Sequence, residues 1–276
     1  MIAAVRRHPL ATFVLIVAAA SALALVIVGP PQLASTPSGS PGVALAVFPV
    51  MVVSVALAGL GITAIVGGRA AARDLAVGLV RWRIATRWWL VPLVPPIAVI
   101  GVLALLSATI SSAFAPGFFP IGLAFGLVAG FFEEIGWSGF AYRQLRTRRS
   151  LFAAAFLLGL GWGVWHLPVV DALGVASPHG VSWPAFFAAF VLALVGLRLI
   201  ISAAYEATGS LLLAQTIHAA STASLVVFGA QAVSASQEAA WYATYALVLW
   251  VVGVALIAMV RRTSVAARAP LPSPFI

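Results

Sequence analysis

The chain has 276 residues, of which 63% are hydrophobic and only 8% are charged, so a water-soluble globular fold is excluded. All 15 basic residues are arginines that stand in clusters between apolar runs, which is typical of membrane topology signals and not of a nucleic-acid-binding surface. Cysteine is absent, which excludes disulfides, cysteine-ligated zinc and a thiol nucleophile.

Eight apolar runs are long enough to cross a hydrocarbon core of about 30 Å, which takes roughly 20 helical residues. In chain order they cover residues 10–28, 43–66, 90–114, 118–140, 151–170, 183–204, 210–228 and 239–260. The first run is too long for the core of a cleaved signal peptide, which has about 7–15 residues. We therefore predict an all-α polytopic membrane protein, with about eight transmembrane helices and one domain over residues 1–276.

The loops between these runs alternate in charge. Fourteen arginines lie before the first run or after the second, fourth and eighth runs, and the remaining loops contain none. Cytoplasmic loops are enriched in Lys and Arg, so both termini are predicted to be cytoplasmic. We expect an integral protein in the plasma membrane of a bacterium, with membrane lipid as a partner and no nucleic acid.

Two adjacent acids, Glu133 and Glu134, stand inside the fourth run in the stretch FFEEIGW. A carboxylate at the bilayer centre costs at least about 2.5–3.5 kcal/mol, so intramembrane acids indicate function. Successive residues on a helix point about 100° apart, and the two side chains cannot serve one small site in the same way. One acid is predicted to do chemistry and the other to support it.

Two later runs each carry a histidine. His166 lies near the end of the fifth run, and His218 lies in the middle of the seventh run on one face with Gln215 and Thr222. At about 1.5 Å per residue, Glu133 is about 13–15 Å from the cytoplasmic interface, His218 about 18 Å and His166 about 17–25 Å. A lone membrane histidine usually makes a helix-to-helix hydrogen bond, but this combination favours a functional site inside the helix bundle.

Three sequence blocks resemble the CPBP intramembrane proteases, a family that includes CAAX prenyl endopeptidases and bacteriocin-processing or self-immunity proteins. EEIGWSGF is similar to the family's paired-glutamate motif, GWGVWHLP to its aromatic-and-histidine motif, and TGSLLLAQTIHAAST to its second histidine motif. Each block is weak evidence alone, but their order on successive spans is specific. The family-like core covers about residues 118–228.

The resemblance implies an intramembrane endopeptidase that cleaves peptide or protein substrates in or near the cytoplasmic half of the bilayer. It assigns Glu133 to the activation of water, His166 to the holding of that water and His218 to the stabilisation of the oxyanion. Glu134 and Trp162 are implied as supporting residues. A base with nearby hydrogen-bond donors suits peptide hydrolysis without a Ser or Cys nucleophile.

A metal-dependent mechanism stays open. Glu133, His166 and His218 are also a donor set for a divalent metal such as zinc, with one position left for water, although no HExxH helix is present. The prediction therefore covers a protease with no cofactor and a metalloprotease.

Two positions depart from the family's pattern. Ser138 stands where the family has an arginine, and Thr222 stands where it has an asparagine. Thr222 can still assist His218 through its hydroxyl, but Ser138 brings no charge to neutralise Glu134. The alternative prediction is therefore a catalytically weak or inactive relative that acts as an immunity or binding protein. A transporter with a proton relay fits the buried acids but not the three blocks.

Three more residues need an interpretation. Arg198, the fifteenth arginine, lies inside the sixth run and can either extend to the membrane interface or reach inward to Glu134; we favour the interface. His8 lies near the N-terminus, and His179 lies in an outer loop that contains no Arg or Lys. Both histidines are expected to be solvated and outside the site.

Overall fold

A computed structural model describes residues 2–28 and 41–266 of the chain. The predicted loop after the first span falls largely in residues 29–40, outside the described residues. The helices are α1 (Ile2–Arg7), α2 (Pro9–Val28), α3 (Pro41–Leu79), α4 (Val94–Thr109), α5 (Gly122–Gly136), α6 (Arg143–Arg146), α7 (Leu151–Trp165), α8 (Val170–Leu173), α9 (Trp183–Thr208), α10 (Leu211–Phe228) and α11 (Ala235–Ala266). Short 3-10 helices cover Thr86–Leu93, Ser112–Phe114 and Gly180–Ser182, and a π-helical segment covers Trp137–Tyr142. These ranges contain no strand, which confirms the all-α prediction.

Among the described residues, six helices are long and apolar enough to cross a membrane. They are Pro9–Val28, Ala46–Leu79, Thr86–Thr109, Gly180–Thr208, Leu211–Phe228 and Ala235–Thr263. Each lies over one of the eight predicted runs, so the prediction of an integral membrane protein is confirmed. The other two runs are less regular: α5 continues through the π-helical segment into α6, and α7 has only 15 residues.

Small residues bring α5 and α10 into close contact. A Cβ atom at Gly130 would lie 2.5 Å from the backbone nitrogen of Ala219, and one at Gly126 would lie 2.4 Å from the Ala219 carbonyl oxygen. No side chain fits at those distances, so the two backbones pack directly, as is common between helices in membranes. This contact sets the helix of Glu133 against the helix of His218.

Glycines position the neighbouring helices in the same way. A Cβ at Gly159 on α7 would lie 2.8 Å from the Cα of Val195 on α9, and one at Gly136 on α5 would lie 2.4 Å from the carbonyl oxygen of Val55 on α3. On its other side α9 packs along α11. The segments that carry the intramembrane polar residues therefore lie at the centre of the bundle.

Candidate active site

A cavity of about 310 Å³ lies inside the helix bundle and is lined by Glu133, His166 and His218. These side chains come from α5, from the end of α7 and from α10. Trp162 and Thr222 line the same cavity. Most other walls are apolar or aromatic, and include Phe48, Phe125, Phe190, Leu194 and Trp241. The structure thus brings the three predicted catalytic side chains into one enclosed space.

Glu133 is fully buried, and its two carboxylate oxygens have different surroundings. Oε2 accepts hydrogen bonds from the indole nitrogens of Trp162 at 2.7 Å and Trp137 at 3.3 Å. Oε1 is buried and has no hydrogen-bond partner within residues 2–28 and 41–266. The two indoles fix the carboxylate, and Oε1 is left to accept a proton from a molecule in the cavity.

The backbone fixes the ring of His166. Its Nδ1 lies 2.9 Å from the carbonyl oxygen of Trp162, one helical turn earlier. A carbonyl only accepts, so Nδ1 carries the proton and Nε2 of the neutral ring keeps its lone pair. Pro168 cannot continue the helix, and α7 ends just before His166. The ring therefore sits at a helix terminus with an acceptor nitrogen available to the cavity.

A carboxylate fixes the ring of His218. Its Nδ1 lies 2.9 Å from Oε1 of Glu134 and donates to it. Nε2 is then the nitrogen available to the cavity, as in His166. The edge of the His218 ring meets Trp162, with 4.8 Å between ring centroids. Trp162 therefore contacts His218 and also holds Glu133 and His166.

Glu134 points away from the cavity and pairs with Arg198. The two guanidinium nitrogens donate to its carboxylate at 2.8 and 2.9 Å, and both side chains are fully buried. The guanidinium carbon also lies 4.3 Å from the ring centroid of Trp162. The favoured interpretation, that Arg198 extends to the membrane interface, is therefore wrong. Two features explain why Arg198 points inward. Helices α7 and α9 approach closely at Gly159, and a buried carboxylate such as that of Glu134 needs a partner.

The same pair changes the meaning of Ser138. Its hydroxyl donates to Glu134 and accepts from Arg198 at 3.2 Å. The charge that was missing at position 138 is thus supplied from α9. Ser138 belongs to the π-helical segment that begins directly after α5, and π-helical turns are frequent at functional sites. The signal in the sequence was a single arginine inside an apolar run.

The donor set does not fit a shared metal ion in this arrangement. Among the described residues, no three His, Cys, Asp or Glu side chains are placed to hold one ion. The anchors on Nδ1 of His166 and His218 do not bear on this question, because metal-ligating histidines commonly donate their second ring N–H in the same way.

His179 was expected to be solvated, and this expectation is wrong. Its side chain is buried between two carboxylates, with Nδ1 3.0 Å from Asp171 and Nε2 3.0 Å from Glu238. Burial alone would lower the pKa of His179, but the hydrogen bonds and charges of Asp171 and Glu238 outweigh it and raise that pKa to about 9. His8, in contrast, is exposed as expected.

The cluster around His179 ties a loop to α11. Glu238 also accepts the backbone N–H groups of Val175 and Ala176, both at 2.8 Å. The loop residues Gly174 and Val175 line the cavity described above. Sequence reasoning missed the cluster because Glu238 is 59 residues from His179 along the chain, and Asp171 approaches His179 only through the fold of the loop.

The central region of the chain is similar to a group of known proteases. Residues 115–224 match the family described as type II CAAX prenyl endopeptidase Rce1-like; this segment is less than half of the chain and contains all three sequence blocks. A stretch of 57 residues is 44% identical to CAAX prenyl protease 2 of Methanococcus maripaludis. That alignment spans 21% of this chain and 21% of the relative's own length. The resemblance to the CPBP intramembrane proteases is confirmed.

Proposed function

We propose that this chain, a relative of the CPBP intramembrane proteases, is an endopeptidase that hydrolyses peptide bonds with a water molecule activated by Glu133. One observation carries the proposal: Glu133 shares an enclosed cavity with His166 and His218, and only one of its carboxylate oxygens is hydrogen-bonded within the described part of the chain. The substrates are peptides or proteins, and the reaction takes place inside the helix bundle.

The first step is the attack of water on the scissile carbonyl carbon. The water molecule donates one hydrogen bond to Oε1 of Glu133 and a second hydrogen bond to Nε2 of His166. Glu133 takes the first proton as the oxygen–carbon bond forms. The indoles of Trp162 and Trp137 hold Oε2, so the accepting oxygen keeps its direction during the transfer.

The second step needs a donor for the oxyanion of the tetrahedral intermediate. Nδ1–H of His218 is held by Glu134, so Nε2 donates when the ring carries both protons. The hydrogen bond to the Glu134 carboxylate holds the ring in this orientation. Collapse of the intermediate breaks the carbon–nitrogen bond, and Glu133 passes its proton to the leaving amine. The products are a carboxylic acid and an amine.

The inactive alternative is not favoured. It rested on Ser138, which brings no charge to neutralise Glu134, and on Thr222, which stands where the family has an asparagine. Arg198 supplies the guanidinium from another helix, with two hydrogen bonds to Glu134 at 2.8 and 2.9 Å. Glu134, which holds His218, therefore has a counter-charge despite the departure at Ser138.

Replacement of Glu133 by Gln tests the proposal. Gln keeps the size and most hydrogen bonds but removes the base, so cleavage of an apolar peptide mixture by the purified protein should fall by about 100-fold or more. Glu206→Gln is the matched control, because Glu206 pairs with Arg146 at 2.6 Å and lies outside this cavity. Full-rate cleavage by the Glu133→Gln protein would refute the mechanism.

A further inference from the structure

A second cavity, of about 540 Å³, lies at the end of the bundle where the arginine clusters stand. We call it the arginine cavity. Its polar lining residues come from α3 and the turn after it, from α6 and from the end of α9: Asp74, Arg81, Arg143, Arg146, Tyr205 and Glu206. None of them lines the cavity of Glu133, so they take no part in the proposed hydrolysis.

One ion pair in the arginine cavity is already complete. Both oxygens of the Glu206 carboxylate are occupied: Oε1 accepts from Arg146 at 2.6 Å, and Oε2 accepts from the hydroxyl of Tyr142 at 2.8 Å and from Arg146 at 3.1 Å. Glu206 therefore has little capacity left to accept hydrogen bonds from other donors in this cavity.

The other donors of the cavity have no acceptor. The guanidinium groups of Arg81 and Arg143 make no hydrogen bond or ion pair with any residue in the ranges 2–28 and 41–266, and the hydroxyl of Tyr205 makes no hydrogen bond there. Both guanidinium charges act on the phenol of Tyr205, so the three groups are close together. Asp74 is the only acid to set against these two positive charges, which leaves a net charge of +1 in this part of the cavity. The arginine cavity therefore attracts an anion.

Local structure holds Arg81 in place. Helix α9 ends at Gly209, whose φ of 62° lies in the left-handed region that favours glycine. A Cβ atom at Gly209 would lie 3.0 Å from a terminal nitrogen of the Arg81 guanidinium, so the glycine leaves the space that this group occupies. The hydroxyl of Ser210 also donates to the backbone carbonyl of Arg81 at 2.5 Å. Because Arg81 is positioned in advance, the binding of an anion costs less conformational entropy.

The chain around Arg81 has the features of a membrane surface. The span Ala46–Leu79 ends two residues before Arg81. The neighbours Val80 and Trp82 are 69% and 61% exposed, and the guanidinium carbon of Arg83 lies 5.0 Å from the ring centroid of Trp82. Tryptophan and arginine at the end of a span are typical of the level of the lipid headgroups. At this depth the phosphate groups of phospholipids are the nearest anions.

We propose that the arginine cavity binds the phosphate group of an anionic phospholipid. Arg81 and Arg143 are the charged donors, and the hydroxyl of Tyr205 donates a further hydrogen bond. A planar guanidinium can bind two phosphate oxygens at once, and such charge-assisted hydrogen bonds are strong. The net charge of +1 favours a headgroup with an uncompensated negative charge over a zwitterionic headgroup. Lipid binding here is independent of the proposed hydrolysis, because the two cavities share no residue.

Native mass spectrometry of the full chain in lipid-free detergent micelles measures this binding. The protein is titrated in separate series with dioctanoyl phosphatidylglycerol, dioctanoyl phosphatidylcholine and inorganic phosphate. Arg81→Gln and Arg143→Gln each remove one charge from the arginine cavity. Arg83→Gln and Arg148→Gln are the matched controls, because each removes one charge from the same two arginine clusters but outside the cavity lining.

We expect the Kd for phosphatidylglycerol to rise about 10-fold or more in Arg81→Gln and Arg143→Gln, and less than about 2-fold in the two controls. Tyr205→Phe removes only a hydroxyl and should raise this Kd about 3-fold, which keeps the test available if an arginine variant does not fold. Phosphatidylcholine and inorganic phosphate should each bind at least about 10-fold more weakly than phosphatidylglycerol.

Three results would overturn the proposal. Equal losses in the cavity variants and the controls would indicate general attraction to a basic surface. Inorganic phosphate that binds as tightly as phosphatidylglycerol would identify a soluble phosphate as the ligand, and equal binding of the two lipids would rule out selection of an anionic headgroup. Each of these results would leave the proposed hydrolysis at Glu133 standing.

Discussion

The buried pair of Arg198 and Glu134 gives the most quantitative prediction. Its two charge-assisted hydrogen bonds measure 2.8 and 2.9 Å, and neither side chain is exposed. Removal of one partner of a buried ion pair leaves the other charge uncompensated, which costs about 3–5 kcal/mol. Arg198→Met keeps an unbranched apolar side chain but removes the guanidinium, and should lower the free energy of unfolding by that amount. Glu134→Gln should do similar damage, because it leaves the guanidinium without its counter-ion.

The double variant separates pairing from simple packing. With both charges gone, no buried charge is left alone, so Arg198→Met with Glu134→Gln should be about 2–3 kcal/mol more stable than the sum of the single effects predicts. Equilibrium unfolding in mixed detergent micelles, followed by the fluorescence of the 9 tryptophans, measures all four proteins. Additive single effects, or an Arg198→Met protein within about 0.5 kcal/mol of the natural one, would refute the pairing.

Four further predictions use the same structure. Ser138→Arg alone should destabilise the protein, because it adds a second guanidinium to a buried site. Ser138→Arg combined with Arg198→Ser should recover stability and cleavage. No recovery would mean that an arginine at position 138 cannot replace Arg198 as the partner of Glu134. Gly130→Ala should lower the free energy of unfolding by about 1–3 kcal/mol, since its Cβ would meet backbone at 2.5 Å. Gly161→Ala is the control: no atom lies within 4 Å of the added Cβ, so stability should be unchanged or slightly higher. Equal effects of the two changes on stability would contradict the close packing. The pKa of His179 is raised to about 9, so its protonation stabilises the fold fully below the unfolded pKa of about 6.5, and this contribution is lost as the pH rises through 9. The melting temperature should therefore fall between pH 7 and about 10, and it should fall less steeply in the His179→Gln protein. Equal slopes in the two proteins would contradict the role of the cluster. A chelator should leave cleavage unchanged if water is held by side chains alone, and loss of activity that zinc restores would favour a metal-bound water.

The sequence was sufficient to predict the helical architecture and the different positions of the two acids. Apolar runs of membrane length are a strong signal, since they must form helices in lipid. The angle of 100° between neighbours predicted different roles for Glu133 and Glu134, and one lines the cavity while the other pairs behind it. Depth along each helix placed His166 and His218 in one layer with Glu133.

Partners from distant helices were harder to predict. Position along a span indicates how deep Arg198 lies but not which way it points, because rotation and close approach at Gly159 depend on packing. The position of His179 depends on a loop whose fold brings Asp171 and Glu238 together. No short-range pattern of residues carries that information.

Isotope-labelled hydrolysis tests the central claim most directly. The purified protein is incubated with an apolar peptide mixture in water enriched in oxygen-18, and the products are weighed by mass spectrometry. If Glu133 activates a water molecule, each new carboxylate contains one oxygen-18, and product formation falls by about 100-fold or more in Glu133→Gln but not in Glu206→Gln. Cleavage at full rate by the Glu133→Gln protein, or new carboxylates without the label, would contradict the account.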